Sequence, residues 1–195
     1  KWRPSFSFDY DSIKSYLNFS LPLFGENSLN YFVRNIDNLL IGKLLGVTIL
    51  GYYSKAYSLM LLPVRQISGS IANVMFPSFS IVKNDKPKVW VGYMNVVKIV
   101  SYVNFPIMIS LYFFAHEIVL LLFGSQWLEV IPIIKALCFL GSIQSIGTLA
   151  GSIYNSQGKT RLQFKVGLFS KAIMSTGIIY GLLKGGVLDM IFYYT

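Results

Sequence analysis

The chain has 195 residues, of which 54% are hydrophobic and 13% charged. Soluble domains carry about 25% charged residues, so this chain cannot clothe a globular surface in charge and reads as an all-α membrane protein. Its net +9, from 17 Lys and Arg against 8 Asp and Glu, would point to nucleic acid in a soluble protein. Here the basic residues lie between apolar runs, in the positive-inside pattern, and no nucleic-acid partner is expected. Cys138 is the single cysteine and His116 the single histidine, which excludes a disulfide framework and most zinc or triad chemistry.

Taken in order, residues 1–14 read as a cytoplasmic linker or interfacial segment, with Trp2, Phe6, Phe8 and Tyr10 suited to the headgroup level. Spans are expected over roughly 15–41, 51–79, 91–114, 130–153 and 164–183, each near or above the ~20 residues that cross a bilayer as helix. A further one starts at 187. Pro22, Gly25, Pro63 and Pro106 fall inside these runs and predict kinks. The apolar run at 118–123 is too short to cross, and Gly124 and Trp127 fit a re-entrant or interfacial turn. The span at 130–153 is rich in Gly, Ser and Thr, which permit close helix packing. The chain opens on KWRP and stops inside a new apolar run, so it is expected to be a fragment of a longer membrane protein. The fold expected is therefore a polytopic helix bundle of about five full spans plus the start of a sixth, filling residues 15–195.

Basic residues gather before the first span (Lys1, Arg3, Lys14), after the second (Lys83, Lys86, Lys88) and after the fourth (Lys159, Arg161, Lys165). Every second connection is basic, so those three should be cytoplasmic.

The stretch 26–77 organises the rest. Its first half carries Asn27, Asn30, Arg34 and Asp37 at helical spacing, and its second half Ser58, Arg65, Gln66 and Asn73. Unpaired polar groups in hydrocarbon cost several kcal/mol, so these faces should meet other helices or intramembrane water. A membrane hairpin with a polar seam suggests a transporter.

Several marks then fall in sequence: WRP at 2–4, IDNLLIGKLLG at 36–46, LGYYSKAY at 50–57, Pro63, FPSFS at 76–80, LFGSQW at 122–127 and GKTR at 158–161. In this run the chain resembles the C-terminal half of Wzx-type polysaccharide (O-antigen) flippases of the multidrug/oligosaccharidyl-lipid/polysaccharide exporter superfamily, the colanic-acid exporter branch in particular. The resemblance implies two six-helix bundles with pseudo-symmetry, of which this chain supplies most of the second and a missing N-terminal bundle the first. It implies alternating access in the bacterial inner membrane, carrying an undecaprenyl-pyrophosphate-linked oligosaccharide between leaflets. No Gly-rich phosphate loop, HExxH or GxSxG motif appears, so no enzyme activity and no cofactor is expected, with a coupling proton or sodium ion left open.

The candidate cavity-lining residues are Arg34, Asp37, Arg65, Lys171, Asn30 and Asn73. Arg34 and Asp37, one turn apart, could serve substrate or simply pair with each other. Arg65, beside Pro63, could grip a pyrophosphate bidentately or pair with Asp37. Lys171 lies too deep to snorkel easily and reads as a cavity cation. Asn30, Asn73 and Gln144 could bind sugar hydroxyls or hydrogen-bond between helices. His116 and Glu117 read as a solvated pair, with a proton relay as the alternative. Asp37 is taken as the acidic residue deep in the first two spans, a cationic balance that favours an anionic substrate. A drug or cation antiporter of the same superfamily is the alternative function. A polysaccharide polymerase fits less well, because no large periplasmic loop is visible.

Overall fold

The computed structural model of the chain describes residues 10–194. The side chain of Arg34, and the expected linker up to residue 9, lie outside the described residues. Eight α-helices follow one another: α1 Tyr10–Leu44, α2 Val47–Pro63, α3 Ser70–Ile81, α4 Lys86–Phe113, α5 Ala115–Leu122, α6 Ile131–Ser156, α7 Thr160–Gly185 and α8 Val187–Tyr194. A π-helical turn, Val64–Gly69, joins α2 to α3 into one continuous rod, and a 3₁₀ turn, Ser125–Val130, leads into α6. No strand occurs among the described residues. The fold is an all-α polytopic bundle.

Among the described residues, four helical rods are long and apolar enough to cross a membrane: Val47–Ile81, Lys86–Phe113, Ser125–Ser156 and Thr160–Gly185. They match four of the five expected full spans. The fifth, expected over 15–41, falls in α1. That helix has 35 residues and would extend about 52 Å at 1.5 Å per residue, but it lacks the apolarity of the other rods. Glu26, Asn27, Asn30, Arg34 and Asp37 interrupt its greasy face.

The rods alternate in direction between two ends of the bundle. One end collects the start of α1, the turn from α3 to α4, and the turn from α6 to α7. There the Arg161 guanidinium donates to Asn18 Oδ1, and Lys86 and Lys159 line one cavity. Lys14 and the basic clusters at 83–88 and 159–165 therefore converge on one end. The opposite end collects the Gly46 turn, α5 with its 3₁₀ turn, and the Gly186 turn. There Tyr52 packs edge-on to Trp127, with ring centroids 5.9 Å apart, and Lys55 Nζ lies 5.5 Å from the Phe123 ring centroid. Gly46, Gly124 and Gly186 carry φ of 92°, 87° and 90°, a left-handed backbone that a Cβ would disfavour. Each of these turns can reverse the chain sharply for that reason. The short α5 and the Gly124 turn are the non-spanning segment expected around 118–123.

Helix α6 is the centre of the bundle. It packs against α2, α3 and α4 and also touches α5, α7 and α8. Its buried residues include Ile133, Ile134, Leu137, Gly141, Ser145 and Leu149. At Gly141 an added Cβ would lie 2.8 Å from Met60 Cγ and 2.8 Å from Met108 Cε, so the missing side chain is what lets α2 and α4 close on α6. Small residues act here as the sequence led one to expect. Elsewhere the spans stay bare: Tyr102 is 86% exposed, and Phe139 and Phe169 are largely exposed too. Such a surface would associate or aggregate in water; in a bilayer it is the natural exterior.

The expected proline kinks take one definite form. After Pro63 the ladder changes register through the π turn, whereas α1 continues through Pro22 and α4 through Pro106. A proline lacks the N–H that would bond one turn back, and a π turn is a common local accommodation of that kind of disruption.

Candidate functional site

Polar groups that cannot face lipid are gathered along α1 and its neighbours. Glu26 and Asp37 lie about three turns apart, so both point to the same side of α1, and both are buried. Each is met by a different helix.

Glu26 meets α7. Its Oε1 forms a buried ion pair with Lys171 Nζ. The carboxylate lies directly against Gly167, where any Cβ would collide with it. Gly167 is one turn from Lys171, so α7 presents a cation beside a gap shaped for the acid. Gly25 repeats the device from the other side: an added Cβ there would lie 2.7 Å from the Phe164 ring. Glu26 Oε2 is buried and has no hydrogen-bond partner among the described residues. A buried carboxylate with one oxygen satisfied and one bare is held less firmly than a fully bonded one.

Asp37 meets α2. Tyr53 Oη donates to Asp37 Oδ2 at 2.9 Å, and the backbone N–H of Asn38 donates to Asp37 Oδ1 at 2.7 Å. Asp37, Tyr53, Ser54, Tyr57 and Ser58 line a small polar cavity of about 110 Å³. Towards the basic end, α1 stands away from α3 and α6 and leaves a cleft of about 320 Å³. It is lined by Phe19 and Leu23, by Asn73 and Phe76, and by Ser152 and Asn155. Ser152 Oγ donates to the Ala72 carbonyl at 2.9 Å, fixing α6 to α3 at the floor. Asn155 Oδ1 is buried without a partner among the described residues.

The candidates from the sequence are thus distributed. Asp37 and Lys171 lie where α1 meets α2 and α7, and Asn73 lines the cleft between α1 and α3. Arg65 is exposed on the π turn, and among the described residues it forms no ion pair with Asp37. Asn30 is exposed on α1. Gln144 is half-buried on α6, with its side-chain carbonyl unpartnered among the described residues. His116 and Glu117 are exposed, 4.0 Å apart.

Two groups escaped the sequence reading. Glu26 is a second acid deep in the first helix, so Asp37 is not alone there, and Lys171 is a neutralised cation. Its signal was present: three turns before Asp37, on the same face. The other is Asn104, fully buried in α4, whose Nδ2 donates to Ser68 Oγ at 3.2 Å and so ties α4 to the π turn. A lone Asn in an apolar run beside Pro106 was its trace in the sequence.

These features define a class: a multi-pass helical membrane protein that holds ionisable side chains between its helices and leaves polar clefts along one of them. Within that class, the chain belongs to the polysaccharide biosynthesis protein family, whose model matches residues 1–132. Among its relatives, the lipopolysaccharide biosynthesis protein WzxC of Escherichia coli (strain K12) is 27% identical over 97% of this chain and 38% of its own length. The teichuronic acid biosynthesis protein TuaB of Bacillus subtilis (strain 168) is 30% identical over 84% of this chain and 34% of its own. The succinoglycan biosynthesis transport protein ExoT of Rhizobium meliloti (strain 1021) is 23% identical over 97% and 38%. The chain therefore spans less than two fifths of the length of these relatives. No solved structure matches it. The resemblance to Wzx-type exporters drawn from the motifs agrees with the family match and with these relatives.

Proposed function

We propose that this chain is one bundle of an alternating-access exporter that flips lipid-linked oligosaccharide across the bacterial inner membrane, with its basic end in the cytoplasm. The observation that carries the reading is the seam along α1: Glu26 with Lys171, Asp37 with Tyr53, and the cleft at Asn73 and Asn155. Ionisable groups inside a membrane are costly, by about 2.5–3.5 kcal/mol each on insertion scales, and they commonly mark a path for substrate or ions. Clefts lined by amides and hydroxyls suit a sugar. The biosynthesis and transport roles in the relatives' names supply the substrate class. A missing N-terminal bundle would face this one, and the exposed Arg65 and Asn30 would then line the space between the two.

The test is transport of labelled lipid-linked sugar in vesicles by the full-length protein. Uptake that depends on the protein is expected, and a full-length protein that inserts but moves no lipid-linked sugar would overturn the reading. Residues 1–195 alone are expected to be inactive, because alternating access requires two bundles moving against each other. Orientation is tested separately. In a Cys138→Ser background, an impermeant thiol reagent on intact cells should label Thr48→Cys and Ser125→Cys and spare Asn84→Cys. All three positions are exposed, so the opposite pattern would invert the bundle in the membrane.

A further inference from the structure

A second cavity, of about 300 Å³, opens between the start of α4 and the end of α6 at the basic end. It shares no lining residue with the α1 seam. Lys86 on α4 and Lys159, just beyond α6, stand at its mouth; Trp90, Tyr93 and Tyr154 form its walls; Val89, Ala150 and Ile153 complete it. On both helices the lining passes from a lysine near the end of the bundle to aromatic side chains. On α4 the lining runs from Lys86 through Trp90 to Tyr93. From Lys159 it runs back through Gln157 and Tyr154 to Ala150. Charge gives way to aromatic side chains on both helices, and on α6 Tyr154 is followed by the aliphatic Ile153 and Ala150.

Both helices belong to candidate spans, so in a membrane this gradient coincides with the one from headgroup to acyl chain. Among the described residues no acidic one lines the cavity. The nearby Asp85 is already engaged: it caps α4 by accepting from the Lys88 backbone N–H at 3.1 Å, and its Oδ2 pairs with Lys88 Nζ at 2.8 Å. That contact holds the Asp85 carboxyl below its ordinary value, so Asp85 stays ionised with Lys88 and leaves Lys86 uncompensated. Gln157 adds a buried side-chain N–H₂ that has no acceptor among the described residues. Two cations with no ion pair among the described residues, an unused donor, an aromatic wall and an aliphatic floor are what a phosphodiester headgroup with attached acyl chains requires.

We propose that this cavity is a resident site for an anionic phospholipid of the surrounding leaflet, distinct from the transport seam. The inference needs only the membrane character of the chain and does not depend on the export reading.

The full-length protein, purified in detergent, would be titrated with phosphatidylglycerol and followed by native mass spectrometry. Phosphatidylcholine, soluble glycerol phosphate and an isoprenyl pyrophosphate serve as comparators. Phosphatidylglycerol should be retained in preference to all three. The double variant Lys86→Ala, Lys159→Ala should weaken it about 30-fold, the effect of two lysines near a charged membrane surface. The variant Lys83→Ala, Lys165→Ala removes equal charge from the same end outside the cavity and should leave retention nearly unchanged. Equal loss in both variants would mean diffuse surface attraction and overturn the site. Equal retention of phosphatidylcholine, or binding of glycerol phosphate as tight as that of the lipid, would also overturn it. Tighter, Lys86- and Lys159-dependent binding of the isoprenyl pyrophosphate would assign the cavity to a carrier lipid instead. All of these lysines are exposed, so folding should survive each change, and the thermal unfolding midpoint checks that it does.

Discussion

Lys171→Ala should strip the bundle of a large part of its stability and, with it, of the export proposed above. The change leaves Glu26 charged, buried and alone between α1 and α7, and removing one partner of a buried pair costs about 3–5 kcal/mol. That is a substantial share of the net stability of an ordinary domain. Glu26→Ala should cost a similar amount by stranding the cation. Removing both, as Glu26→Leu with Lys171→Met, should restore folding, because apolar groups of similar volume replace a buried pair at little loss. Protein level in the membrane and the thermal midpoint in detergent read the stability, and surface polysaccharide in a flippase-deleted strain reads the function. If the pair operates in transport, the double variant is folded and inactive. Full export by that double variant would reduce Glu26 and Lys171 to packing partners. A Lys171→Ala protein as stable as the parent would contradict the ion pair itself.

Arg65→Ala should do the reverse: normal level and stability, with export lowered by about tenfold or more. Arg65 is exposed on the π turn and forms no ion pair among the described residues, so its removal leaves no buried charge behind. Hydrogen bonds to charged groups contribute about 1.5–3 kcal/mol, equivalent to at least a tenfold change in affinity. Arg65→Lys separates two modes of contact. A planar guanidinium grips a phosphate with two parallel N–H donors, which an ammonium cannot do. Little recovery by lysine would indicate bidentate contact, and substantial recovery would indicate charge alone. The same polysaccharide readout applies, with protein level measured alongside. Unimpaired export by Arg65→Ala would remove this residue from the substrate path.

The two variants differ because of where their side chains point, and the sequence shows that only in part. Its long apolar runs predict the four rods from composition, since any ~20-residue apolar helix must find hydrocarbon or a protein interior. The order of the basic clusters predicts which connections share an end, because consecutive antiparallel rods must alternate. The glycine at each sharp reversal and the small residues of α6 were legible for equally local reasons of backbone and size.

The polar seam was legible as a face of α1 but not in its partnerships. Helical spacing relates residues within one turn or two, which is why Arg34 and Asp37 stood out as a pair. Glu26 and Lys171 are 145 positions apart, and no local rule connects them. They meet because α1 packs along α7, and because Gly167 leaves room for the carboxylate. Arg65 shows the same limit from the other side. It shares an exposed side of the α2–α3 rod with Ser58, Gln66 and Asn73, as helical spacing led one to expect, but spacing within one rod does not say what that side faces. By itself the sequence determined which segments leave water and which ends of them carry charge, because both follow from the transfer energy of single side chains. Only the tertiary structure decided which buried charges neutralise one another and which cation remains free, because that depends on distances between helices remote in the chain.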